Sequence, residues 1–288
     1  MGFLEFVRRG LTGGVVCCAI GSLAGVQAAD PPERQLAAGM SLRAFQKDFP
    51  TRIKNKFAPV SFSTHYGLRG RLVTSVVWEK RRSGRITMKV GLNSNAMKKE
   101  ITDVAEKGYR LELMTGTGAG GDDRYSAVWS KAPGQEIAVR YGYPAKQLRK
   151  KHGEFKAKGF VIHSIMAVEV SGTVRLSAAW EKDDTVLRQL QLDLALGVFR
   201  REARERTKNG FRLLQACPYV AGRRVRVACI WEKQTAGPIQ EIHTNLTAIA
   251  LKKMNAKLIG KGYVPALIAG YAVNRRDRYI AAWEKGKP

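Results

Sequence analysis

Arg124-Tyr125-Ser126-Ala127-Val128-Trp129 returns near the end of the chain as Arg278-Tyr279-Ile280-Ala281-Ala282-Trp283. Reading outward, all five tryptophans fall on one ladder: Trp78, Trp129, Trp180, Trp231 and Trp283, spaced by 51, 51, 51 and 52 residues. A fixed period of this length marks a repeat architecture. Glu-Lys follows the Trp at Glu79-Lys80, Glu181-Lys182, Glu232-Lys233 and Glu284-Lys285, with Ser130-Lys131 as the variant. A second aromatic ladder, Phe57, Tyr109, Phe160, Phe211 and Tyr263, runs 20 or 21 residues upstream, and Gly108, Gly159, Gly210 and Gly262 precede it in four units.

These anchors predict one motif written five times. A helix comes first, with an apolar column at Phe45, Met97, Leu148, Phe199 and Leu251. The Gly ends it, because the residue past the last turn often needs the left-handed conformation that Gly tolerates. The aromatic opens a first strand, a Gly-containing turn follows, and a second strand ends on the Trp. A third strand alternates apolar and polar, as at Ile86, Met88 and Val90. The expected fold class is α+β: a tandem array in which each ~51-residue unit is a helix plus three short antiparallel strands. The expected boundaries are a linker at 29–40, then repeats at 41–92, 93–143, 144–194, 195–246 and 247–286, the last lacking its third strand. Both aromatic ladders read as core, since stacking buries what a single unit cannot. The pattern leaves open whether the array is linear or closed into a ring.

The 288 residues carry 50 Lys and Arg against 24 Asp and Glu, a formal charge of +26. That excess favours polyanionic partners: nucleic acid, anionic glycan or an anionic membrane surface. Residues 1–28 read as a secretory signal: Arg8 and Arg9, an apolar Gly-rich run from Leu11 to Val26, then Val26-Gln27-Ala28 as a small-residue cleavage site. The protein is therefore expected to be exported, periplasmic or extracellular, with no membrane span after cleavage. Removing the signal takes away only Glu5, Arg8 and Arg9 among the charges, so the basicity belongs to the folded part.

The unit resembles the bacterial tandem repeat family, whose repeat also occurs ahead of the catalytic domain in secreted fungal polyglycine hydrolases. Gly108-Tyr109-Arg110 and the two Arg-Tyr segments quoted above carry the likeness, and Pro59 and Pro265 match a proline of its first strand. Leu111, Ile162 and Leu213 depart from that proline, and Val90-Gly91 and Tyr141-Gly142 replace the family's His-Gly before the helix. The resemblance implies a non-catalytic accessory module with an immunoglobulin-like or related α+β form.

Chemical motifs are scarce. No Ser-x-x-Lys and no Gly-x-Ser-x-Gly occurs, so neither serine chemistry known by those signatures is expected. Gly116-Thr117-Gly118-Ala119-Gly120-Gly121 matches a dinucleotide fingerprint, but that needs a following helix, and the repeat register puts a strand there. The segment reads as a long hairpin turn. His65, His152, His163 and His243 show no metal-ligand spacing, and Asp122-Asp123 and Asp183-Asp184 read as turn residues. No catalytic residue, metal or cofactor is expected. Basic clusters recur at Lys80-Arg81-Arg82, at Lys146 to Lys151, at Arg200 to Arg206 and at Arg223 to Arg226. In an array, equivalent positions line one side, so these could form a stripe. Lys150, Lys151, Arg200, Arg201, Arg204, Arg206, Arg223 and Arg224 are its candidate polyanion contacts. Outside the signal segment only Cys217 and Cys229 remain, one on each arm of the fourth hairpin. A bulge at Ala221-Gly222 would let them bridge; otherwise they are two small buried hydrophobes.

The expected function is thus an exported, non-enzymatic repeat protein that binds an acidic polysaccharide, another polyanion or a protein partner. A secreted hydrolase-related accessory protein and a structural envelope protein are the alternatives.

Overall fold

The chain's structure, a computed structural model, describes residues 32–67, 70–81, 85–119, 122–132, 136–183, 185–234 and 239–285. The signal segment read at 1–28 lies outside them, as do Arg82, Gly120, Gly121 and Asp184. The first unit runs β1 (Arg34–Ser41), α1 (Leu42–Lys54), β2 (Phe57–Tyr66) and β3 (Leu72–Lys80). The second runs β4 (Ile86–Leu92), α2 (Ser94–Glu106), β5 (Tyr109–Ala119) and β6 (Asp122–Lys131), and the third β7 (Ile137–Tyr143), α3 (Ala145–Ala157), β8 (Phe160–Val170) and β9 (Thr173–Lys182). The fourth is β10 (Arg188–Ala195), α4 (Leu196–Lys208), β11 (Phe211–Ala221) and β12 (Arg224–Lys233); the fifth is β13 (Ile239–Leu246), α5 (Ala248–Ile259), β14 (Val264–Val273) and β15 (Arg276–Lys285).

Each unit holds one antiparallel three-stranded sheet with the Trp-bearing strand in the middle, as in β1-β3-β2 and β13-β15-β14. A helix and a single sheet make each unit α+β, not an immunoglobulin-like sandwich of two sheets.

The pairing corrects the expected phase. The alternating strand after each Trp does not close its own unit. It pairs with the Trp strand of the next unit, so Thr87 of β4 faces Trp129, not Trp78. The expected linker holds β1, where Gln35 faces Trp78. The fifth unit therefore has all three strands, and every unit starts seven or eight residues earlier than the boundaries at 41, 93, 144, 195 and 247.

Local chemistry explains the punctuation. Gly108, Gly159, Gly210 and Gly262 sit just past the helices at φ of +72° to +79°, where a Cβ would crowd the backbone. Lys56 occupies the same position in the first unit at φ +64°. The edge strand that precedes each helix breaks register at one place, between Ala37 and Met40 in β1 and equivalently in the other four. Gly39, Gly91, Gly142, Asp193 and Asn245 supply the positive φ there. Gly91 and Gly142, where the family often has His-Gly, thus shape a bulge.

The Glu-Lys motif divides its labour. Each Lys ammonium lies 5.0–5.9 Å from the ring at or directly before the start of the neighbouring strand of its own unit, from Phe57 to Tyr263. The Lys131, Lys182 and Lys233 ammoniums also donate to carbonyls of Lys107, Lys158 and Asn209 just past the helix ends, where positive charge is favoured. The Glu turns the other way, into the charge circuit described below.

The five units close into a ring. Their innermost strands pack side by side in the order β2, β5, β8, β11, β14, and β14 packs again on β2. There are five cores, one between each pair of neighbours. Phe199 and Trp231 of the fourth unit pack with Leu267, Tyr271 and Ile280 of the fifth, and Leu251 and Trp283 of the fifth with Val77 of the first. Sheets that radiate from an axis diverge outward, and the helices fill the wedges. All five Trp are at most 1% exposed. Phe57 and Phe160 are buried, while Tyr109, Phe211 and Tyr263 are half-buried under their lysines.

Candidate functional site: a basic rim and a divided axial channel

On the helices, the two residues that follow the buried column lie at the same register in every unit. They are Gln46-Lys47, Lys98-Lys99, Arg149-Lys150, Arg200-Arg201 and Lys252-Lys253. Phe45, Met97, Leu148, Phe199 and Leu251 are buried, and all nine of these Lys and Arg residues are exposed. Helical geometry forces this: residues one and two steps from a core position turn about 100° and 200° away from it. Because the units close on themselves, the expected stripe becomes a girdle around the ring. Between α4 and β13 a groove of about 470 Å³ is lined by Arg200, Arg204, Thr207, His243 and Thr244.

The candidate polyanion contacts do not all belong to this rim. Arg200, Arg201, Arg204 and Lys150 do, exposed on α4 and α3. The Lys151 ammonium lies 2.7 Å from the Glu154 carboxylate on the same helix. Arg206 is taken by the interior: its guanidinium sits 5.5 and 5.6 Å from the Phe211 and Trp231 rings and donates to Gln189 and Glu202. Arg223 and Arg224 are exposed at the β11–β12 turn, away from the helix faces.

The inner strands enclose two cavities on the ring axis. One, of about 170 Å³, lies toward the hairpin turns and is lined by Ser63, His65, Thr117, Glu169, Cys217 and Tyr219 among others. The other, about 220 Å³, lies toward the strand starts and includes Ser61, Arg81, Arg110, Glu112, His163 and Glu181. Phe62, Gln215 and Ala216 border both. The Gln215 carboxamide ties three units together there: its oxygen accepts from the Ile165 amide (2.7 Å) and its nitrogen donates to the Met114 carbonyl (3.3 Å).

Gly116, Thr117 and Gly118 of the Gly-rich segment line the first cavity, which corrects their reading as part of a hairpin turn. Gly116 and Gly118 lie inside β5, where a Cβ on Gly118 would sit 2.0 Å from the Glu169 carbonyl oxygen of the next unit. Glycine is needed because two backbones meet. No pyrophosphate-binding helix follows; the next element is β6.

Around the second cavity runs a circuit of ion pairs built on the recurring Glu. Arg34 joins Glu79 (2.7 Å) to Glu284 (3.1 Å); Arg212 joins Glu284 (3.7 Å) to Glu232 (3.1 Å); Arg188 joins Glu232 (2.8 Å) to Glu181 (2.6 Å). Each Arg bridges two units. Burial pushes the Glu181 carboxyl up, but the His163 ring and the Arg188 guanidinium outweigh it and hold it at about 2. Such pairs add little net stability, yet losing one partner strands a buried charge, so they specify neighbours. In the second unit Ser130 stands where the others have Glu, and its hydroxyl donates to Glu112 (2.5 Å) instead.

The two cysteines do not bridge. Cys217 faces Ala228 and Cys229 faces Ala216, with unbroken register through the turn at Ala221. The register shift lies between Leu213 and Gln215, so no bulge at Ala221-Gly222 brings the sulfurs together. Both thiols are free, and burial pushes both up to about 12.

Among the described residues, no group of three or more His, Cys, Asp and Glu side chains is placed to hold a metal ion, and no helix is long and apolar enough to cross a membrane. The recurrent sheet, closure and charge circuit define a cyclic tandem-repeat protein. The chain belongs to the polyglycine hydrolase-like structural repeat family, whose model matches it at residues 84–132, 134–183, 193–234 and 237–286. All four matches begin ahead of the helix, three of them ahead of the edge strand and the one at 193 within β10, and the first unit repeats the same elements outside them. No curated protein matches the chain.

Proposed function

We propose that this protein is an exported, non-catalytic binding module that holds an anionic polymer against its basic rim. The observation that carries the reading is the register of Lys47, Lys98, Lys99, Arg149, Lys150, Arg200, Arg201, Lys252 and Lys253, exposed on all five helices. Nine cations spaced around a closed rim suit a long, flexible polyanion that touches several units at once, because each weak contact raises the effective concentration for the next. The signal read at residues 1–28 makes an acidic polysaccharide, lipopolysaccharide phosphate or extracellular DNA better suited than chromosomal DNA. Binding of this kind weakens steeply with salt, since each neutralised phosphate or carboxylate releases condensed counterions.

The test is retention on heparin-type and DNA matrices across a salt series. Replacing Arg200, Arg201, Lys252 and Lys253 with Gln should flatten the slope of log affinity against log salt by up to about 3–4 on duplex DNA. Retention that ignores salt, or a slope unchanged in that variant, would overturn the reading.

A further inference from the structure

The ring is fivefold in backbone but not in charge, and the asymmetry gathers at the second axial cavity. Every inner strand breaks register at the same step, between Pro59 and Ser61, Leu111 and Leu113, Ile162 and Ser164, Leu213 and Gln215, and Pro265 and Leu267. The extra residues are Val60, Glu112, His163, Leu214 and Ala266, and the first four line the cavity. Bulges re-aim side chains in this way next to functional sites. At these bulge positions only two adjacent units, the second and third, carry titratable side chains, Glu112 and His163; Arg81 of the first unit and Arg188 of the fourth also line the cavity.

The same two units break the ion-pair circuit. Arg212 of the fourth unit lies between its own Glu232 and the next unit's Glu284. Arg110 holds the equivalent place in the second unit. Its own Glu is replaced by Ser130, and the next unit's Glu181 is already engaged by Arg188 at 2.6 Å and His163 at 3.3 Å. Arg110 keeps only Glu112, whose carboxylate lies 3.7 Å from its Nε, beyond hydrogen-bond distance; the Arg212 Nε likewise makes no hydrogen bond among the described residues, but Arg212 keeps two carboxylates. Its side chain is 37% exposed, and that of Arg81 beside the cavity is 42% exposed. His163 turns Nδ1 to the Glu181 carboxylate, so Nδ1 carries a proton and Nε2 is left for another partner. That Nε2 also lacks a partner among the described residues.

We propose that this cavity binds a small hydroxylated carboxylate, either a free hydroxy acid or the terminal residue of an acidic sugar chain. The carboxylate lies against the Arg110 guanidinium and the terminal nitrogens of Arg81, whose Nε is held by Glu79 at 3.0 Å. A ligand hydroxyl hydrogen-bonds to His163 Nε2, which it can meet as donor or acceptor, or donates to Glu112. The volume of about 220 Å³ is below the roughly 300–1,000 Å³ of sites for drug-sized ligands, which limits the occupant to one small ring or short chain. The site is separate from the rim and does not depend on the rim's function.

Calorimetric titration of the purified protein with gluconate, galacturonate, a galacturonate trimer, acetate and glycerol tests it. Gluconate or galacturonate should saturate the protein with 1:1 stoichiometry, and acetate and glycerol, each offering half the recognition, should bind at least tenfold more weakly. Arg110→Gln should weaken binding tenfold or more. Ser130→Glu, which returns the carboxylate found in the other four units, should do the same with unchanged thermal unfolding. Lys252→Gln with Lys253→Gln on the rim should leave it untouched. A trimer that binds better than the monomer identifies a sugar-chain end, and the reverse a free acid. No saturation up to about 10 mM, equal binding of acetate, or indifference to both Arg110→Gln and Ser130→Glu would overturn the proposal.

Discussion

Cys217 and Cys229 show how one residue of register decides chemistry. Side chains one step apart on paired strands point to opposite faces. Cys217 packs into the core shared with the third unit, where its sulfur accepts from the Ala167 amide at 3.1 Å, and Cys229 into the core shared with the fifth. Protein lacking residues 1–28 should therefore yield two titratable thiols per chain under non-reducing denaturation; a peptide joining Cys217 to Cys229 would contradict the register. Two histidines set a pH dependence. Burial holds the His65 imidazole below its ordinary 6.5, against the pull of Asp277 at 3.2 Å, and burial also lowers His152, whose Nδ1 accepts from Trp180 Nε1 at 3.1 Å. As pH falls, the unfolded chain protonates first. The contribution is complete above about 6.5 and declines as pH drops below it. Denaturant midpoints measured from pH 8 to pH 5 should fall across that window, and His65→Asn should shrink the fall. A flat profile would mean that neither ring is held neutral.

At the scale of the element, Lys56 is the exception that tests the helix stop. Four units end their helix on a glycine in the left-handed region, and the first uses Lys56 at φ +64°. A side chain there costs roughly 1 kcal/mol, so Lys56→Gly should stabilise the protein by about that much, read as a higher denaturant midpoint with unchanged slope. Its reach is local, since the Lys56 side chain is exposed. The helices, the glycine stops and the hairpin ending on Trp were legible in the sequence because each leaves a local mark: an apolar column, a conformation only Gly takes easily, an anchor of fixed size. The phase of the unit was not legible. A segment such as Ile86 to Leu92 alternates identically whether it pairs with Trp78 behind it or Trp129 ahead of it, and a period of 51 residues is blind to the choice. Gly116 and Gly118 misled for a related reason: glycine marks a turn and a close backbone approach with the same letter, and only the neighbouring strand with Glu169 distinguishes them.

At the scale of the molecule, closure could not be read because the seam uses the same residue types as every other joint. Arg34 bridges Glu79 and Glu284 as Arg188 bridges Glu232 and Glu181, and Ser61 and Ser63 accept from the Ile268 and Gly270 amides across the seam. The basic pairs of the rim stood in the sequence, one and two residues past the apolar column, but they become a girdle only when the fifth unit meets the first. Arg110 and His163 carried no sequence signal beyond Ser130, the one break in the Glu-Lys series. Closure changes the energetics as well as the shape. An open array with five units has four interfaces, and its terminal units each lack one neighbour. Here five cores join five units, so no unit is terminal and each inter-unit loop is an equivalent place to cut. The Arg34 guanidinium lies 3.1 Å from the Glu284 carboxylate, so the starts and ends of the folded chain meet at the same joint. A circular permutant that links Lys285 to Arg34 through a short Gly-Ser segment and opens between Lys131 and Ile137 keeps all five cores. It should elute as a monomer and unfold in one transition within a few degrees of the parent. Were the array open, that permutant would lose the core between the second and third units and gain none in return, and its unfolding would split or fall by well over ten degrees, as expected when a shared core of buried Trp and Met side chains is lost.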